Sequence, residues 1–257
     1  MIYAQTDLGK VRTINQDCYD FCIIDDNLAW ALVCDGMGGA SFGEVASNIA
    51  KETIRNEFED FLSICETQNH TNDKIKETIL KAITKANENI FNKSKEKNFS
   101  NMGTTVVVGV VFKNALHIAH VGDSRAYIVS SDGMKQLTND HSFVQEMVKS
   151  GRITPKEAKF SSQKNIITRA LGVESDVSID YENFSLKEKD KVFLCTDGLT
   201  NYIDGKELFN YFLEFEDEKI PGVLVKEANS LGGQDNITAL LISKISWGVN
   251  LRGQNAR

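Results

Sequence analysis

The fold is decided by the stretch Thr104-Thr105-Val106-Val107-Val108-Gly109-Val110-Val111-Phe112-Lys113-Asn114-Ala115-Leu116-His117-Ile118-Ala119-His120-Val121. Two apolar segments flank Lys113-Asn114, which is a short turn, so the stretch predicts a β-hairpin. Two more strand-like runs follow at 126–129 and 134–137, and Asp132-Gly133 between them is typical of a tight hairpin turn. Because no helix separates these consecutive strands, the pattern indicates antiparallel sheets.

Further strands are predicted on both sides of this region, at 19–24, 29–34, 177–184, 192–195 and 237–243. Two other segments, 43–61 and 72–97, carry apolar residues at helical spacing, and we interpret these stripes as faces that pack on the core. Runs of strands together with long helices predict an α+β fold, in which two antiparallel sheets pack face to face and helices lie outside.

The length and composition are those of one globular domain. The 257 residues can bury one substantial core, and the two prolines mark no interdomain linker. We therefore expect a single domain over 1–245 and a short polar tail over 246–257. Within the domain, 141–172 combines helical patterns with a polar stretch, which predicts a surface flap subdomain. We interpret Asp204-Gly205 as a plain loop.

The charge and the first residues argue against two classes of partner. The net charge is −7, so nucleic acid is not an expected partner. Residues 1–7 lack the basic start and apolar segment of a signal peptide, and no apolar run reaches membrane-spanning length. We therefore expect a cytoplasmic protein without membrane insertion.

The cysteines indicate neither disulfides nor zinc. They number five, an odd count, and no Cys-x-x-Cys pair occurs, which favours reduced thiols. A cysteine-dependent phosphatase would need a phosphate-binding loop with an arginine shortly after the nucleophile. Cys34 and Cys195 are followed instead by Asp35 and by Thr196-Asp197, so we interpret both as small buried strand residues.

Three aspartates lie where an apolar strand-like run meets glycine or asparagine: Asp35, Asp197 and Asp235. Any one Asp-Gly pair is most often a turn, but three such positions, two of them in glycine-rich sequence, indicate a site. Carboxylates that converge repel one another, so a proton or a cation must join them. A hard divalent cation is favoured, because such ions take oxygen ligands.

Two other candidates each have an alternative interpretation when taken alone. Asp123 is a fourth strand-end aspartate, and the alternative is a turn aspartate paired with Arg125. Arg12, which precedes Asn15-Gln16-Asp17, is equally compatible with a solvated arginine in a loop. The alternating strand around His120 predicts a core or hydrogen-bonding histidine, and His141 could orient a water molecule at the site.

Taken in order, these segments resemble the bacterial members of the type 2C (PPM) family of metal-dependent serine/threonine protein phosphatases. The resemblance spans residues 1 to 243, and the ordered series is far more specific than any one motif. The motifs are Gly9…Arg12…Asn15-Gln16-Asp17, Val33-Cys34-Asp35-Gly36-Met37-Gly38-Gly39 with Gly43-Glu44, Met102-Gly103-Thr104-Thr105, Ala119-His120-Val121-Gly122-Asp123-Ser124-Arg125, Leu137-Thr138-Asn139-Asp140-His141, Ile167-Thr168-Arg169-Ala170-Leu171-Gly172, Thr196-Asp197-Gly198 and Gly233-Gln234-Asp235-Asn236.

The resemblance implies a four-layer α-β-β-α sandwich with a dinuclear Mn²⁺ or Mg²⁺ centre at one end of the sheets. Asp35 would bridge both ions, and Asp197 and Asp235 would complete the shell of the first. The second ion would take the carbonyl oxygen of Gly36, where glycine keeps a side chain from crowding the ion, with Asp17 held nearby through water.

The resemblance also implies the chemistry. Arg12 would clamp the phosphoryl group, and Asp123 would help Asp197 hold a third, weaker ion. Asp35 and Arg12 are thus the expected catalytic residues. The paired ions would activate a water molecule that attacks phosphorus in line, with no covalent enzyme intermediate. Expected partners are phosphorylated proteins, in particular a cognate serine/threonine kinase and its substrates, and we expect a monomer.

Two positions depart from relatives in the family. Met37 stands where many eukaryotic relatives have histidine, and a thioether cannot donate a proton, so their proposed general acid is missing here. Gln16 stands where some relatives have glutamate, which removes one negative charge beside the second ion. The alternatives to an active enzyme are a catalytically weak, phosphoprotein-binding module of the same fold, or a phosphatase devoted to one regulatory switch protein.

Overall fold

The computed structural model describes residues 1–38, 42–64, 70–96 and 102–243. The strands in these ranges are β1 Ile2–Asp7, β2 Asp17–Asp25, β3 Leu28–Met37, β4 Gly103–Thr104, β5 Val106–Phe112, β6 Ala115–Val121, β7 Arg125–Ser130, β8 Gly133–Gln136, β9 Asp180–Ser185, β10 Lys191–Cys195 and β11 Ile237–Ile242. The helices are α1 Phe42–Ile64, α2 Asn72–Ser94, α3 Phe143–Lys149, α4 Pro155–Phe160, α5 Asp197–Thr200, α6 Gly205–Glu214 and α7 Ile220–Ser230.

The strands form two sheets in which every neighbouring pair is antiparallel. One sheet has the order β1-β11-β10-β7-β8, and the other has the order β2-β3-β5-β6-β9, with β4 paired to β3. Consecutive strands joined by short turns impose this arrangement, because a parallel pair would need a long crossover. The predicted hairpins at 104–121 and around Asp132-Gly133 are both confirmed.

Three buried apolar clusters show how the layers stack. One fills the space between the two sheets and includes Val33, Val107 and Leu194. A second lies between the β2-β9 sheet and helices α1 and α2, and a third lies between the β1-β8 sheet and helices α5 to α7. The layers therefore follow the order α-β-β-α, which confirms the predicted fold class.

The strand ends that carry the candidate residues meet at one end of the sandwich. Asp17, at the start of β2, pairs in register with Asp35 near the end of β3. Cys195, the last residue of β10, pairs with Ala239 near the start of β11 and with Arg125 at the start of β7. Because neighbouring strands run in opposite directions, the segments before β2, β7 and β11 lie beside those after β3 and β10.

Some elements were not predicted. Strand β1 and helices α6 and α7 were missed, and the plain loop assigned to Asp204-Gly205 is wrong, because α6 begins at Gly205 directly after Asp204. The strand predicted at 177–184 begins at Asp180 and ends at Ser185. The polar tail 246–257 and the last residue of the helix predicted over 72–97 lie outside the described residues.

The segment 141–172 lies between β8 and β9 and contains α3 and α4. Thr154 and Glu157 form a capping box, in which each side chain bonds to the other's backbone N–H, and Pro155 follows at the first helical position. An antiparallel β-bridge between Ser142 and Ile167 joins the two ends of the segment at its base. We refer to residues 141–172 as the flap.

Two further observations concern the whole chain. In the ranges given above, no helix has both the length and the apolar character needed to cross a membrane. Four cysteines, at positions 18, 22, 34 and 195, are free thiols, as predicted, and Cys65 lies outside the described residues.

Candidate metal centre

Asp17 and Asp35 lie side by side on neighbouring strands at the centre of the site. The hydroxyls of Thr196 and Thr238 each donate a hydrogen bond of 2.8 Å to Asp17 Oδ2. The other oxygen, Oδ1, is buried and has no hydrogen-bond partner among the described residues. One oxygen of Asp17 is thus fixed by protein donors, whereas the other is available to a ligand.

Asp197 follows β10 and opens the one-turn helix α5. The Asn201 amide donates a hydrogen bond of 3.0 Å to Asp197 Oδ2. Asp197 Oδ1 is buried, and no atom in the described part of the chain bonds to it. Asp17 and Asp197 therefore show the same pattern: one oxygen is held and one is left open.

Asp235 and Arg12 approach the site from two loops at the same end. Arg12 Nη2 donates a hydrogen bond of 2.8 Å to Asp235 Oδ2, and the two side chains are 48% and 34% exposed. An ion pair this exposed contributes little stability, about 0–1 kcal/mol. Arg12 can therefore leave Asp235 for a phosphoryl oxygen at small cost.

Asp123 lies in the loop between β6 and β7 and is buried. The alternative in which it pairs with Arg125 is wrong, because Arg125 forms a two-pronged ion pair with Asp140, with N···O distances of 2.6 and 2.9 Å. Asp123 faces Asp197 instead. Burial is the main reason why the pKa of Asp123 is raised, and repulsion from Asp197 raises it further.

The electrostatics show that the carboxylates form one cluster. Burial raises the pKa of Asp35 well above its usual range, and repulsion from Asp17, Asp197, Asp123 and Asp235 raises it further. Burial also raises the pKa of Asp17 to about 7, despite the two threonine hydrogen bonds that lower it. The other four sequence-predicted carboxylates thus all lie within electrostatic range of Asp35.

The donor set fits divalent cations. Buried carboxylate oxygens without hydrogen-bond donors are costly, and mutual repulsion adds to that cost unless positive charge compensates. Carboxylate oxygens are the ligands that Mg²⁺ and Mn²⁺ prefer. Asp17 and Asp197 each present one such oxygen, so the cluster is suited to holding hard cations rather than to standing alone.

Gly36 lies between Asp35 and Met37, and its N–H bonds to the Gln16 carbonyl oxygen at 3.1 Å. A Cβ atom at this position would lie 2.1 Å from the Gly43 carbonyl oxygen and 2.6 Å from that of Gln16. Packing against the start of α1 is therefore sufficient to require glycine here. The sequence suggested a different reason, the crowding of an ion.

Asn236 is a buried residue whose role the sequence did not indicate. Its Nδ2 atom donates to the carbonyl oxygens of Leu8 and Ile14, at 2.9 and 3.1 Å. Its Oδ1 atom accepts from the Gln16 N–H at 2.8 Å. Both N–H groups and the oxygen of the side-chain amide are therefore used. These three bonds hold the loop that carries Arg12 against the start of the strand that follows Asp235.

We expect Asn236→Ala to destabilise the protein by about 1–3 kcal/mol, because a buried N–H and two carbonyls lose their partners. The KM for a phosphopeptide should rise, since the Arg12 loop loses its support. Asn236→Asp should be equally damaging, because a carboxylate cannot donate to the two carbonyls. Thermal unfolding and steady-state kinetics measure both effects. Normal behaviour of Asn236→Asp would contradict the donor role.

His120 is buried and its Nε2 atom lies 2.9 Å from the Asn139 carbonyl oxygen. Burial lowers its pKa, so the ring is neutral near pH 7 and Nε2 donates this bond. The predicted core or hydrogen-bonding role is confirmed.

His141 opens the flap and is also structural. Its Nδ1 atom accepts from the Gly122 N–H at 3.0 Å, and its Nε2 atom lies 3.0 Å from Arg169 Nη1 and 3.3 Å from Asp180 Oδ2. Arg169 Nη1 holds the other oxygen of Asp180 at 2.6 Å. His120, His141 and Asp180 have potential metal-ligand atoms within 4.8 Å of one another. The Arg169 guanidinium, however, already supplies the positive charge that Asp180 needs.

Comparisons with known proteins agree with this geometry. Residues 9–219 match the family described as Protein phosphatase 2C. The serine/threonine phosphatase stp of Listeria welshimeri is 34% identical over 242 residues, which cover 93% of this chain and 94% of that protein.

Two solved structures are also similar. Serine/threonine phosphatase Stp1 from Staphylococcus aureus has a TM-score of 0.86 and 33% identity, and the match covers 94% of each chain. The catalytic domain of the serine threonine protein phosphatase PstP, solved in complex with 2 manganese ions, has a TM-score of 0.78 and 28% identity over 94% of this chain and 96% of that chain. This chain therefore belongs to the protein phosphatase 2C family of metal-dependent serine/threonine protein phosphatases.

Proposed function

We propose that this protein hydrolyses phosphoserine and phosphothreonine in other proteins with two Mn²⁺ or Mg²⁺ ions bound in the aspartate cluster. The observation that carries the proposal is the pair of buried, unpartnered oxygens on Asp17 and Asp197, set among carboxylates that raise one another's pKa. Paired ions in such a site lower the pKa of a bound water and neutralise a phosphoryl group.

The family resemblance suggests which residues would hold the ions. The first ion would be held by Asp35, Asp197 and Asp235, and the second by Asp35 and the Gly36 carbonyl oxygen, with Asp17 behind it. The hydroxyls of Thr196 and Thr238 orient Asp17 in this arrangement. Asp123, which faces Asp197, is suited to a third and weaker ion.

The chain's own proton donors are few at this site. Met37 carries no proton that it could give to a leaving alkoxide. Burial lowers the pKa of His141 to about 4, and its Nδ1 atom already accepts a backbone hydrogen bond. We therefore propose that solvent in the site, rather than a side chain, protonates the leaving oxygen.

Arg12 would position the phosphoryl group. Its planar guanidinium can bond two phosphoryl oxygens at once, and its half-exposed side chain leaves it accessible to a substrate. We expect Arg12→Ala to lower kcat/KM by about 10²–10³-fold, as loss of a charge-stabilising donor does, with little change in thermal stability. Arg12→Lys should recover only part of the loss, because lysine cannot form the paired bonds. Equal activity of all three proteins would exclude the clamp role.

The partners remain proposals. Phosphorylated proteins are the substrates that the family implies, and a cognate serine/threonine kinase would supply them. A binding module without catalysis is not favoured, because the sequence keeps all five carboxylates and Arg12, whereas a degenerate site should have lost some of them. The cytoplasmic location and the monomeric state stay predictions from the sequence.

The direct test is hydrolysis of a phosphothreonine peptide by metal-stripped protein, with Mn²⁺, Mg²⁺ or EDTA added. We expect phosphate release with Mn²⁺ and none in EDTA, and calorimetry should show uptake of at least two ions. Unchanged turnover in EDTA would refute the metal mechanism. Metal uptake without turnover on any phosphopeptide would favour the binding module instead.

A further inference from the structure

A cavity of about 850 Å³ opens beside the aspartate cluster, between the flap and the core. Asp123 and Asp197 form part of its wall, so it is continuous with the proposed reaction site. On the flap side it is lined by α3 and α4, and on the core side by β7, β8 and α6. A protein segment that presents a phosphorylated residue to the cluster has this space next to it.

The charged side chains of the cavity are largely paired with one another. Lys159 on the flap bonds to Asp204 at 2.7 Å, and Lys164 donates to the Asn201 side chain at 3.2 Å. Arg125 is held by Asp140. The other charged lining residues outside the aspartate cluster, Asp132 and Lys206, are exposed and opposite in sign. The walls therefore offer little net charge with which to select an acidic or a basic substrate.

Apolar side chains are contributed by both sides of the cavity. The flap supplies Val144 and Val148 from α3, which are four residues apart and therefore lie on one helical face. The core supplies Met134 and Phe209, which pack against the buried cluster beneath the helices. These four side chains form an apolar patch in a cavity whose other lining residues are mostly polar. An apolar patch beside a polar reaction site is typical of specificity pockets.

We propose that this groove binds an apolar side chain of the phosphoprotein, close in sequence to the phosphorylated residue. The proposal rests on the proposed phosphatase function and adds a substrate preference to it. The substrate itself is the occupant, because the groove is continuous with the cluster, and the patch of Met134, Val144, Val148 and Phe209 offers an apolar side chain of the substrate a place to bind. Val148 is the residue best placed to test it, since it is only partly buried and a polar substitution there should not disturb the core.

The experiment compares phosphothreonine peptides that carry leucine or aspartate at each position around the phosphorylated residue. Wild-type protein should prefer leucine at one or more positions by at least about 10-fold in kcat/KM, the effect of one apolar side chain in a pocket. Val148→Asp should remove that preference, and the near-isosteric Val148→Thr should reduce it. Hydrolysis of p-nitrophenyl phosphate, which has no neighbouring peptide side chain to bind in the groove, should be unchanged in both variants and shows that they are folded.

Glu146→Ala, on the exposed side of the same helix, is the matched control and should keep the leucine preference. A leucine preference that persists in Val148→Asp, or the absence of any preference in wild type, would overturn the groove proposal alone. Failure of wild type to hydrolyse even p-nitrophenyl phosphate with Mn²⁺ would overturn both this proposal and the proposed function.

Discussion

Asp35→Asn should abolish phosphatase activity and at the same time make the metal-free protein more stable. Activity should fall by at least about 10³-fold, because the residue proposed to bridge both ions loses its charge. Stability should rise by about 1–3 kcal/mol, since the native carboxylate is buried and repelled by its neighbours and a neutral amide is not. The two effects are measured by Mn²⁺-dependent turnover and by thermal unfolding in EDTA.

The opposite signs make this prediction specific. A residue needed only for folding would lower both activity and stability when replaced. Asp132→Asn, in the exposed turn between β7 and β8, is the matched control and should change neither quantity. A lower melting temperature for Asp35→Asn in EDTA would show that the carboxylate is not under repulsion in the native protein.

The stability advantage of Asp35→Asn should also grow with pH. A carboxyl group whose folded-state pKa is raised favours the folded state most below its unfolded pKa, and that contribution is lost as pH rises through the folded pKa. The pKa of Asp17 rises from 3.8 to about 7, and those of Asp35, Asp123 and Asp197 rise in the same direction. The metal-free wild type should therefore lose stability relative to the variant from about pH 4 upward.

Comparison with the variant is necessary because buried histidines act in the opposite direction. Burial lowers the pKa of His117 and His141 to about 4, so their protonation destabilises the fold as pH falls below about 6.5. Both proteins share these histidines, and the difference in melting temperature isolates the contribution of Asp35 and of its repulsion by the other four carboxylates. Added Mn²⁺ should reverse the trend for wild type, because metal ligands bind best when deprotonated. A difference that is constant from pH 5 to pH 8 would contradict the predicted repulsion.

The sequence predicted the architecture where local signals were strong. Alternating or continuous β-branched runs joined by Lys113-Asn114 and Asp132-Gly133 predicted both hairpins correctly. Helix α6 was missed because Asp204-Gly205 is a turn signal, and Asp204 in fact precedes the helix. Helix α7 was missed since Pro221 and Gly222 near its start are signals of irregular structure.

The site was predictable only in part. Strand-end position and glycine context predicted Asp35, Asp197 and Asp235 as candidates, and these strand ends, which belong to two sheets, meet at one end of the sandwich. The supporting contacts could not be predicted, since they join distant parts of the chain: Thr238 bonds to Asp17 across 221 positions, and Arg12 pairs with Asp235 across 223. Local sequence carries no signal for such pairs, which explains why the role of Asn236 appeared only in the structure.

The most direct test of the account is a crystal structure of the protein grown with Mn²⁺, with diffraction data collected for manganese anomalous scattering. We predict two strong anomalous peaks bordered by the carboxylates of Asp35, Asp197 and Asp235, with Asp235 no longer paired to Arg12. A map with no anomalous peak among these carboxylates, in crystals of protein that hydrolyses phosphopeptides, would contradict the dinuclear site.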